Sequence, residues 1–593
     1  MEATYQDGAI CLSGKWYEPA TYHVSNAQLS AVFDGKGSVV SYALANAKAF
    51  IDRGYLFLRA NDEPVDVCVE KQVCMCGRRQ TVTIATPVGA LVVELFLDHA
   101  VNGVFFRYTF TPNREEDVLS VGIASNAVPE KEAIFRAPGD LLADSQFAIA
   151  ASRSFVWAGP NRSIYFSCTA SQPTMQLFLS CGGSAEEARA ACDRFEDYRA
   201  ACLAEIAAVQ VPEGLDARQT ALYDSCYFCA LENYKEKDGY RGFMAGCNYL
   251  LPMRTYYRDS YYTVLPMYSG NLEKVRAQIL TLARGIKADG TCPSAVTYGY
   301  GEWWGNHFDS PSFLTMMLYD YVHFTKDLSI LHETYEGQTV LADAQRALEN
   351  LATFTDETGL LYKPGKYNKR DWADEVNRSG YVTYDEILFA RALQCMAKLF
   401  AWISEEAQSA AYAARYTRVK DAINELLWDE SRGYYVNFKT ADETEANLSV
   451  DTVFAAIFEI APPERAKRML SAMEQILETR HNSQQMAGDY GVMSVYPFYR
   501  QIDGAYWKST QPYYYHNGAN WPYLSAMYAY AKRKYGMEYR YALESWFDYN
   551  VRRGNYTPIE FFSSVQPDGS MLQAWSGVVA FVMNEALSLH FFD

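Results

Sequence analysis

Residues 184–210, SAEEARAACDRFEDYRAACLAEIAAVQ, mark the point at which the hydrophobic pattern of the chain changes its period. The segment opens with Ser184, followed by Glu187, an arrangement typical of the capping box at a helix N-terminus. Its apolar residues then recur with helical spacing, which predicts a helix. We interpret residues 184–214 as a helical linker between two parts of the chain that have different architectures.

The sequence before this linker has the composition of β structure. Short runs of β-branched and aromatic residues are separated by Gly, Asn and Pro, which is typical of strands joined by turns. Several such strands at close spacing favour a sandwich. Residues 1–183 are therefore predicted to form an all-β sandwich domain, and its clearest runs are 37–46, 79–99, 102–112 and 162–170.

The sequence after the linker is predicted to be almost entirely helical. About twelve helical segments follow one another without a repeat of fixed period. Helices in that number can pair into hairpins that close into an (α/α)6 toroid, with one set of loops gathered at the mouth of the ring. We therefore predict an all-α (α/α)6 domain over residues 215–593. Its helices are expected near 215–234, 258–268, 271–286, 310–325, 328–353, 383–403, 405–427, 449–460, 463–478, 517–534, 537–550 and 575–590.

The charge of the chain limits its partners. The formal net charge of the 593 residues is −18, which repels phosphate backbones and anionic lipid headgroups. We therefore expect no nucleic acid partner and no membrane partner, and no apolar run is long enough for a transmembrane helix. Such a chain accommodates neutral or cationic substrates more easily than anionic ones. The sequence leaves the oligomeric state open.

The thirteen cysteines lack the regular spacing of a disulfide framework. We expect them to be reduced thiols, and the N-terminal residues have no features of a signal peptide, so a cytoplasmic location is predicted. The sequence contains no HExxH, no Walker A loop and no GxGxxG that follows a strand. No cofactor and no metal site are therefore predicted.

Five predicted loops of the helical part are unusually rich in aromatic and carboxylate residues. The chain has 46 tyrosines and 11 tryptophans, whose rings suit the faces of sugars, although a large helical protein also buries aromatic residues in its core. Ordinary connections are shorter and less aromatic, so these loops favour a lined pocket. They span residues 248–262, 297–311, 369–381, 509–523 and 554–570.

Carboxylates beside aromatic residues suit glycoside hydrolysis. That reaction needs one protonated carboxyl to donate to the leaving oxygen and a second carboxylate to activate water or attack the anomeric carbon. The segment KRDWADEVNRSGY, residues 369–381, places Asp371, Asp374 and Glu375 around a tryptophan, and burial beside an indole raises a carboxyl pKa. The following TYDE, residues 383–386, forms a second capping pattern, which predicts a helix that begins near 383. A solvated acidic loop is the alternative interpretation.

The segment DWADEVNRSGYVT, residues 371–383, resembles the acid-catalyst segment of glucoamylases. It is also similar to the Asp-Trp-Asn-Asp segment of cellobiose-type phosphorylases and to the Trp-Met-Asp segment of the amylo-1,6-glucosidase domains of glycogen-debranching enzymes. The resemblance implies a six-hairpin (α/α)6 glycosidase in which Asp374 is the general acid and Trp372 and Glu375 bind sugar. Glucoamylases have Glu where this chain has Asp374, which moves the match toward the other two families.

Three further loops carry the same resemblance. YYRDSYYTVLP is similar to the segment whose Arg-Asp pair grips the hydroxyls of the terminal sugar, and WWGNHFDSPSF is similar to an aromatic segment that opens a helix in the pocket wall. YHNGANWPYL is close to a segment of debranching enzymes and related six-hairpin glycosidases. The resemblance implies substrate-binding roles for Arg258, Asp259, Trp304, Asp309, His516, Asn517 and Trp521.

The second carboxylate is expected near the C-terminus. NYTPIEFFSSVQPDGSMLQAWSGVVAF, residues 555–581, resembles the glucoamylase segment in which a Glu base precedes a Gly-rich turn and a Trp-Ser pair. The resemblance implies that Glu560 is the general base and that Trp575 lines the pocket. From its flanking residues alone, Glu560 is either buried with a function or turned outward at a strand edge.

These observations predict an exo-acting, inverting glycoside hydrolase that releases a terminal sugar from a small α-linked oligosaccharide. Two alternatives stay open. An inverting disaccharide phosphorylase would need a phosphate pocket in place of the base. A non-catalytic carbohydrate-binding protein would keep the pocket without turnover.

Overall fold

The computed structural model of the chain describes residues 1–6, 8–44, 49–51, 53–99, 101–128, 136–143, 146–158, 161–499, 510–564 and 567–592. Residues 45–46, 509 and 565–566 of the sequence segments discussed above lie outside this part of the chain. The sequence-based domain limits of 1–183, 184–214 and 215–593 stay predictions. By its contacts the chain divides into a first unit, Met1–Asp238, Gly246–Met253 and Gly554–Pro558, and a second unit, Gly239–Ala245, Arg254–Arg553 and Ile559–Asp593.

The first unit contains two large antiparallel sheets. Their strands alternate between buried and exposed residues. In strand Arg79–Thr86, for example, Val82 and Ile84 are buried, whereas Thr81 and Thr83 are partly exposed. This period of two gives each strand one apolar face. The 13-stranded sheet contains Glu2–Gln6, Ala9–Lys15, Gly54–Ala60, Glu63–Pro64, Glu70–Cys76, Arg79–Thr86, Gly89–Phe96, Val104–Pro112, Leu119–Ser125, Arg136–Ala143, Phe147–Ala158, Ser163–Cys168 and Thr174–Cys181, and the 4-stranded sheet contains Tyr22–Ser25, Leu29–Phe33, Val39–Leu44 and Ala49–Ile51.

Residues 184–210 form two helices, Ala185–Asp193 and Phe195–Ala207, where the sequence pattern predicts one. The predicted capping box is confirmed, because the Ser184 side chain accepts from the backbone N–H of Glu187 and the Glu187 carboxylate accepts from that of Ser184. The break falls at Arg194, whose backbone is not helical. Apolar residues of both helices join a buried cluster with Phe96, Phe105 and Phe178, which anchors them on the large sheet. A third helix of this unit is Ala217–Glu232.

The expectation that every cysteine is a free thiol is wrong for one pair. Cys11 and Cys74 form a disulfide between the neighbouring strands Ala9–Lys15 and Glu70–Cys76. The two residues face each other in the strand register, which spacing along the sequence does not show. Ten other described cysteines are not part of a disulfide. Within the described part of the chain, no helix is both long and apolar enough to cross a membrane.

The second unit is mainly helical, and its two longest helices show how its layers arise. Thr383–Trp402 is buried along most of its length, whereas Glu406–Leu426 buries only one narrow side. The two helices pack against each other across a short turn, so the pair has an inner and an outer member. The other α-helices are Tyr257–Val264, Leu272–Ala283, Ser310–Thr325, Ser329–His332, Val340–Ala352, Phe454–Ile457, Pro463–Ile476, Pro522–Lys534, Arg540–Arg552, Val578–Met583 and Glu585–Ser588.

Short strands and 3₁₀ turns connect these helices. The strands pair with one another and so hold the segments between the helices in place. They are Arg254–Tyr256, Ala295–Thr297, Glu302–Trp303, Thr334–Tyr335, Gln338–Thr339, Tyr381–Val382, Trp428–Asp429, Tyr434–Tyr435, Phe438–Lys439, Thr444–Glu445, Leu448–Ser449, Val495–Tyr496, Ile559–Phe562 and Pro567–Met571, and the 3₁₀ turns are Leu265–Ser269, Gly365–Tyr367, Val450–Val453 and Ala574–Gly577.

Most predicted helices occur near their predicted positions, and the exceptions have local causes. The segment 328–353 is interrupted by a strand pair that turns at Glu336 and Gly337, both with positive φ. The helix near 383 begins at Thr383 as predicted, but the proposed capping box is wrong. The Thr383 hydroxyl donates to the Val436 carbonyl, and the Glu386 carboxylate accepts from the Leu361 N–H.

Candidate active site

Three sequence-predicted residues meet at the start of two helices. Arg258 and Asp259 lie in the first turn of helix Tyr257–Val264, and Asp309 directly precedes helix Ser310–Thr325; all three are buried. Arg258 Nη1 donates to Asp309 Oδ2 at 2.9 Å, and Arg258 Nε lies 3.9 Å from Asp259 Oδ2. One guanidinium therefore lies between two carboxylates, one from its own helix turn and one from the start of another helix.

The surroundings of these two carboxylates give them different proton affinities. Burial alone would raise the pKa of Asp309, but Arg258 and the His307 imidazole, 2.7 Å away, hold it below its ordinary value. Burial raises the pKa of Asp259 to about 7; Arg258 opposes this rise and the Glu560 carboxylate adds to it. Gln573 Nε2 donates to Asp259 Oδ1 at 3.3 Å. The cluster thus combines a stable anion with a carboxyl that titrates near neutral pH.

Asp374 lies in the loop before helix Thr383–Trp402 and keeps 23% of its side-chain surface exposed. Burial raises its pKa to about 8, against the field of Arg258 and with help from the charges of Glu375 and Glu560. Its Oδ1 lies 3.8 Å from His516 Nε2. Asp374 therefore keeps its proton at neutral pH while part of its surface stays accessible.

Asp371, three residues earlier, is completely buried in a network of ion pairs. Arg378 Nη2 donates to its Oδ1 at 2.6 Å, and Lys363 Nζ donates to its Oδ2. The same Oδ1 accepts from the backbone N–H of Ala373 at 2.8 Å. Because Ala373 is the residue next to Asp374, this contact fixes the backbone from which Asp374 projects.

Trp372 is held by the same network. Its Nε1 donates to Asp451 Oδ2, which also accepts from Arg378 Nη1 at 2.7 Å. The indole meets the rings of His516 and Trp521 edge to face, with centroids 5.1 and 5.6 Å away. The loop that carries Trp372 is thus held by the hydrogen bond to Asp451 and by packing against the rings of His516 and Trp521.

Glu560 lies on strand Ile559–Phe562 and is 9% exposed, so it is not turned outward at a strand edge. The register of this strand shifts between Ile559 and Phe561, and such a bulge re-aims a side chain. Glu560 Oε2 accepts from the Ser570 N–H at 2.9 Å. Its charge raises the pKa of two other carboxyls of the site, Asp259 and Asp374. Glu560 therefore belongs to the same electrostatic cluster.

Aromatic residues from the two C-terminal loops pack beside these carboxylates. The His516 ring stacks nearly parallel on Trp521, with a centroid distance of 5.1 Å. Trp575 packs on Tyr523 at 4.5 Å and on Trp521 at 5.7 Å. Trp575 Nε1 is buried and has no hydrogen-bond partner among the described residues.

A family model described as amylo-alpha-1,6-glucosidase matches residues 232–583, which is more than half of the chain. The chain belongs to the amylo-alpha-1,6-glucosidase family. No curated protein matches it. The match begins in helix Ala217–Glu232 and includes every candidate residue described above.

Two solved structures are similar to this member of the amylo-alpha-1,6-glucosidase family. A bacterial glucoamylase complexed with acarbose matches with a TM-score of 0.64 and 10% identity over 98% of each chain. A rhamnosidase from Klebsiella oxytoca with rhamnose bound matches with a TM-score of 0.50 and 14% identity over 96% of each chain. These likenesses confirm the predicted fold class, a β-rich N-terminal part followed by a six-hairpin glycosidase domain. Family and fold together identify a glycoside hydrolase.

Three predicted residues of this family member lie apart from the buried cluster or have other contacts. Trp304 is 42% exposed, and the Arg370 guanidinium lies 5.1 Å from its ring. Asn517 is buried and its Oδ1 accepts from the Tyr499 N–H at 2.8 Å, so its side chain braces the loop. Glu375 is partly exposed. Their roles in substrate binding stay predictions.

Several polar residues of the site were missed by the sequence analysis. His307 lies two positions before Asp309 in an aromatic loop, so its position was a readable signal. The remaining residues carry no motif of their own, and their role shows only in the contacts that the fold gives them. These are Lys363, Arg378, Tyr384, Asp451 and Gln573.

Proposed function

We propose that this protein is an exo-acting, inverting glycoside hydrolase that releases a terminal sugar from a small α-linked oligosaccharide. Asp374 is the general acid and Glu560 the general base. The observation that carries the proposal is a partly exposed Asp374 carboxyl, 3.8 Å from His516, in the same electrostatic cluster as the buried Glu560. Burial and the charge of Glu560 both act to raise the pKa of Asp374, to about 8. A protonated and an ionised carboxyl on opposite sides of the anomeric carbon are what inversion needs.

The two carboxyls divide the proton transfers. Asp374 gives its proton to the glycosidic oxygen as the bond to the anomeric carbon breaks. Glu560 takes a proton from a water molecule that attacks the opposite face of that carbon, and the sugar leaves with inverted configuration. The Ser570 N–H, which donates to Glu560 Oε2, orients this carboxylate.

The buried cluster of Arg258, Asp259 and Asp309 suits the hydroxyls of a terminal sugar. Charged groups make stronger hydrogen bonds to hydroxyls than neutral groups do, and these three sit on rigid helix starts. The rings of Trp372, Trp521 and Trp575 pack on one another, and an aromatic wall suits the face of a sugar. Trp575 is two residues from Gln573, which donates to Asp259. This combination supports binding of a chain end, and therefore exo action.

The proposal also keeps a cytoplasmic location and the three domain limits predicted from the sequence. Ten cysteines among the described residues are outside any disulfide, which suits a reducing compartment. The disulfide between Cys11 and Cys74 is an exception to that pattern. No cofactor has a part in the proposed reaction.

The test uses three variants and one substrate panel. Asp374→Asn and Glu560→Gln keep side-chain shape but remove proton transfer, and each is expected to lose about 10²–10⁴-fold in kcat. Glu464→Gln, at a carboxylate with 88% exposure, is the control and keeps wild-type activity. Proton NMR of the first-formed sugar anomer on disaccharides and aryl glycosides gives substrate class and stereochemistry together.

Several results would contradict parts of this proposal. Near-wild-type turnover of either variant, with circular dichroism showing an intact fold, removes that residue from the mechanism. A product with retained configuration rules out inversion. Phosphate-dependent release of a sugar 1-phosphate makes the protein a phosphorylase, and calorimetric sugar binding without any turnover makes it a binding protein.

A further inference from the structure

The loop before Asp309 holds an indole at the surface on a constrained backbone. Tyr300, Trp304 and Asn306 have φ values of +63°, +51° and +52°. Positive φ is uncommon for residues other than glycine and is a genuine outlier for bulky ones, so it persists where the surroundings impose it and it clusters at functional sites. Trp304 is nevertheless 42% exposed. The backbone of this loop is thus held in a strained conformation that leaves the indole of Trp304 exposed to solvent.

A cation from the catalytic loop lies over that ring. The Arg370 guanidinium is 5.1 Å from the Trp304 ring, and the Arg370 carbonyl accepts from the Phe308 N–H at 2.7 Å. Phe308 is the neighbour of Asp309, and Arg370 lies four residues before Asp374. The pair therefore joins the two loops that carry the sugar-binding cluster and the proposed acid.

A second pair of the same kind stands beside it. Lys366 Nζ lies 4.9 Å from the ring of Tyr367, whose hydroxyl accepts from Asn306 Nδ2 at 3.2 Å. Asn306 is two residues from Trp304, so this hydrogen bond ties the same two loops again. We call Trp304, Lys366, Tyr367 and Arg370 the basic rim.

The two cations of the basic rim form no ion pair with a carboxylate of the described residues. Among the residues that the structure describes, neither Lys366 nor Arg370 has a carboxylate partner. Asp371 is already paired with Lys363 and Arg378, and Glu302 with Lys287. Two uncompensated cations at one place are unexpected in a chain whose net charge is −18. Their charge is therefore available to a ligand.

We propose that the basic rim binds an anionic group, phosphate or carboxylate, on the leaving-group part of the substrate. This inference rests on the proposed function. The terminal sugar occupies the buried end formed by Arg258, Asp259 and Asp309, so the exposed rim meets the part of the substrate that leaves. A guanidinium matches the two oxygens of a phosphate or carboxylate, and the face of Trp304 suits the attached ring. The substrate is then an acidic oligosaccharide, although net charge alone favours a neutral one.

The test compares three disaccharides that share one terminal sugar. The leaving sugar is neutral, carries a 6-phosphate or is a uronate, and kcat/KM is measured for each. A charge-assisted hydrogen bond contributes enough for wild type to prefer one anionic form by about tenfold or more. The preference of phosphate over uronate, or the reverse, identifies the anion. Raising the salt concentration is expected to weaken the preference.

Matched variants show whether the basic rim is responsible. Arg370→Gln and Lys366→Gln each remove one cation and are expected to lower the ratio of anionic to neutral kcat/KM. Lys420→Gln is the control, because Lys420 lies over Tyr416 at 5.8 Å on helix Glu406–Leu426 and should leave the ratio unchanged.

Two results would overturn the inference while leaving the proposed function intact: equal or better turnover of the neutral sugar by wild type, or an anionic preference that survives in both rim variants. If none of the three sugars is hydrolysed, the proposed function fails, and calorimetry on the same sugars still tests the rim. Tighter anionic binding by wild type than by Arg370→Gln supports it, and equal binding overturns it.

Discussion

Asp371 and Asp374 lie three residues apart on one loop and have opposite proton affinities. Burial acts to raise the pKa of both carboxyls, because it disfavours the charged form. For Asp371, Arg378 and Lys363 outweigh burial and hold its pKa well below the ordinary range. For Asp374, the field of Arg258 does not outweigh burial, and the pKa rises to about 8. The direction of each shift is therefore decided by direct cation contacts.

This difference separates two tasks within one loop. Asp371 is a fixed anion whose contacts with Lys363, Arg378 and the Ala373 N–H hold the backbone. Among the residues that the structure describes, Asp374 has no Lys or Arg ion pair of this kind, and 23% of its side-chain surface stays exposed. The loop can thus be rigid without locking the group that we propose transfers the proton.

The largest expected effect that tests this comparison is on stability. Asp371→Asn removes the carboxylate that Lys363 and Arg378 share and leaves each of these buried cations with one carboxylate partner instead of two. The change should lower the free energy of unfolding by about 3–5 kcal/mol. Asp374→Asn, the same change on the same loop, is the matched control and should cause no such loss because the wild-type group is already neutral. Urea unfolding followed by circular dichroism measures both. Equal losses in the two variants would mean that the network does not distinguish them.

The second effect concerns pH. The acid must be protonated to act, and its pKa is about 8, so kcat/KM should fall by about tenfold per pH unit above pH 8. The profile of kcat/KM between pH 6 and pH 10 checks this, with Glu464→Gln as the control. A fall of about tenfold per pH unit that already runs from pH 6 upward would show that the pKa of Asp374 is not raised toward 8 in the free enzyme.

The sequence was sufficient to locate candidate residues that lie close together in the chain. Asp374, Glu375 and the helix start at Thr383 belong to one short segment, and Arg258 and Asp259 are neighbours. Local patterns of this kind also indicated the β-rich and helical parts of the fold.

The sequence was insufficient where the contact depends on tertiary structure. Arg378 pairs with Asp451, 73 residues away, and neither segment contains a sequence pattern that predicts this pair. Cys11 and Cys74 are opposed by strand register, a property of two strands together. The pKa of Asp374 depends on burial, which the tryptophan beside it only suggested.

The smallest effect uses a glycine to perturb Asp374 from a distance. A Cβ at Gly569 would lie 2.5 Å from the Cβ and Oε2 atoms of Glu560, so Gly569→Ala must displace that side chain. Because the charge of Glu560 contributes to the raised pKa of Asp374, its displacement should move the alkaline limb to lower pH by a fraction of a unit and lower kcat.

Gly536→Ala is the control: its φ of +71° carries a similar backbone strain, but a Cβ there meets nothing within 4 Å. Both variants should lose some stability, and only Gly569→Ala should shift the limb. An unshifted limb in Gly569→Ala, or an equal shift in both, would show that Glu560 does not help to hold the proton on Asp374.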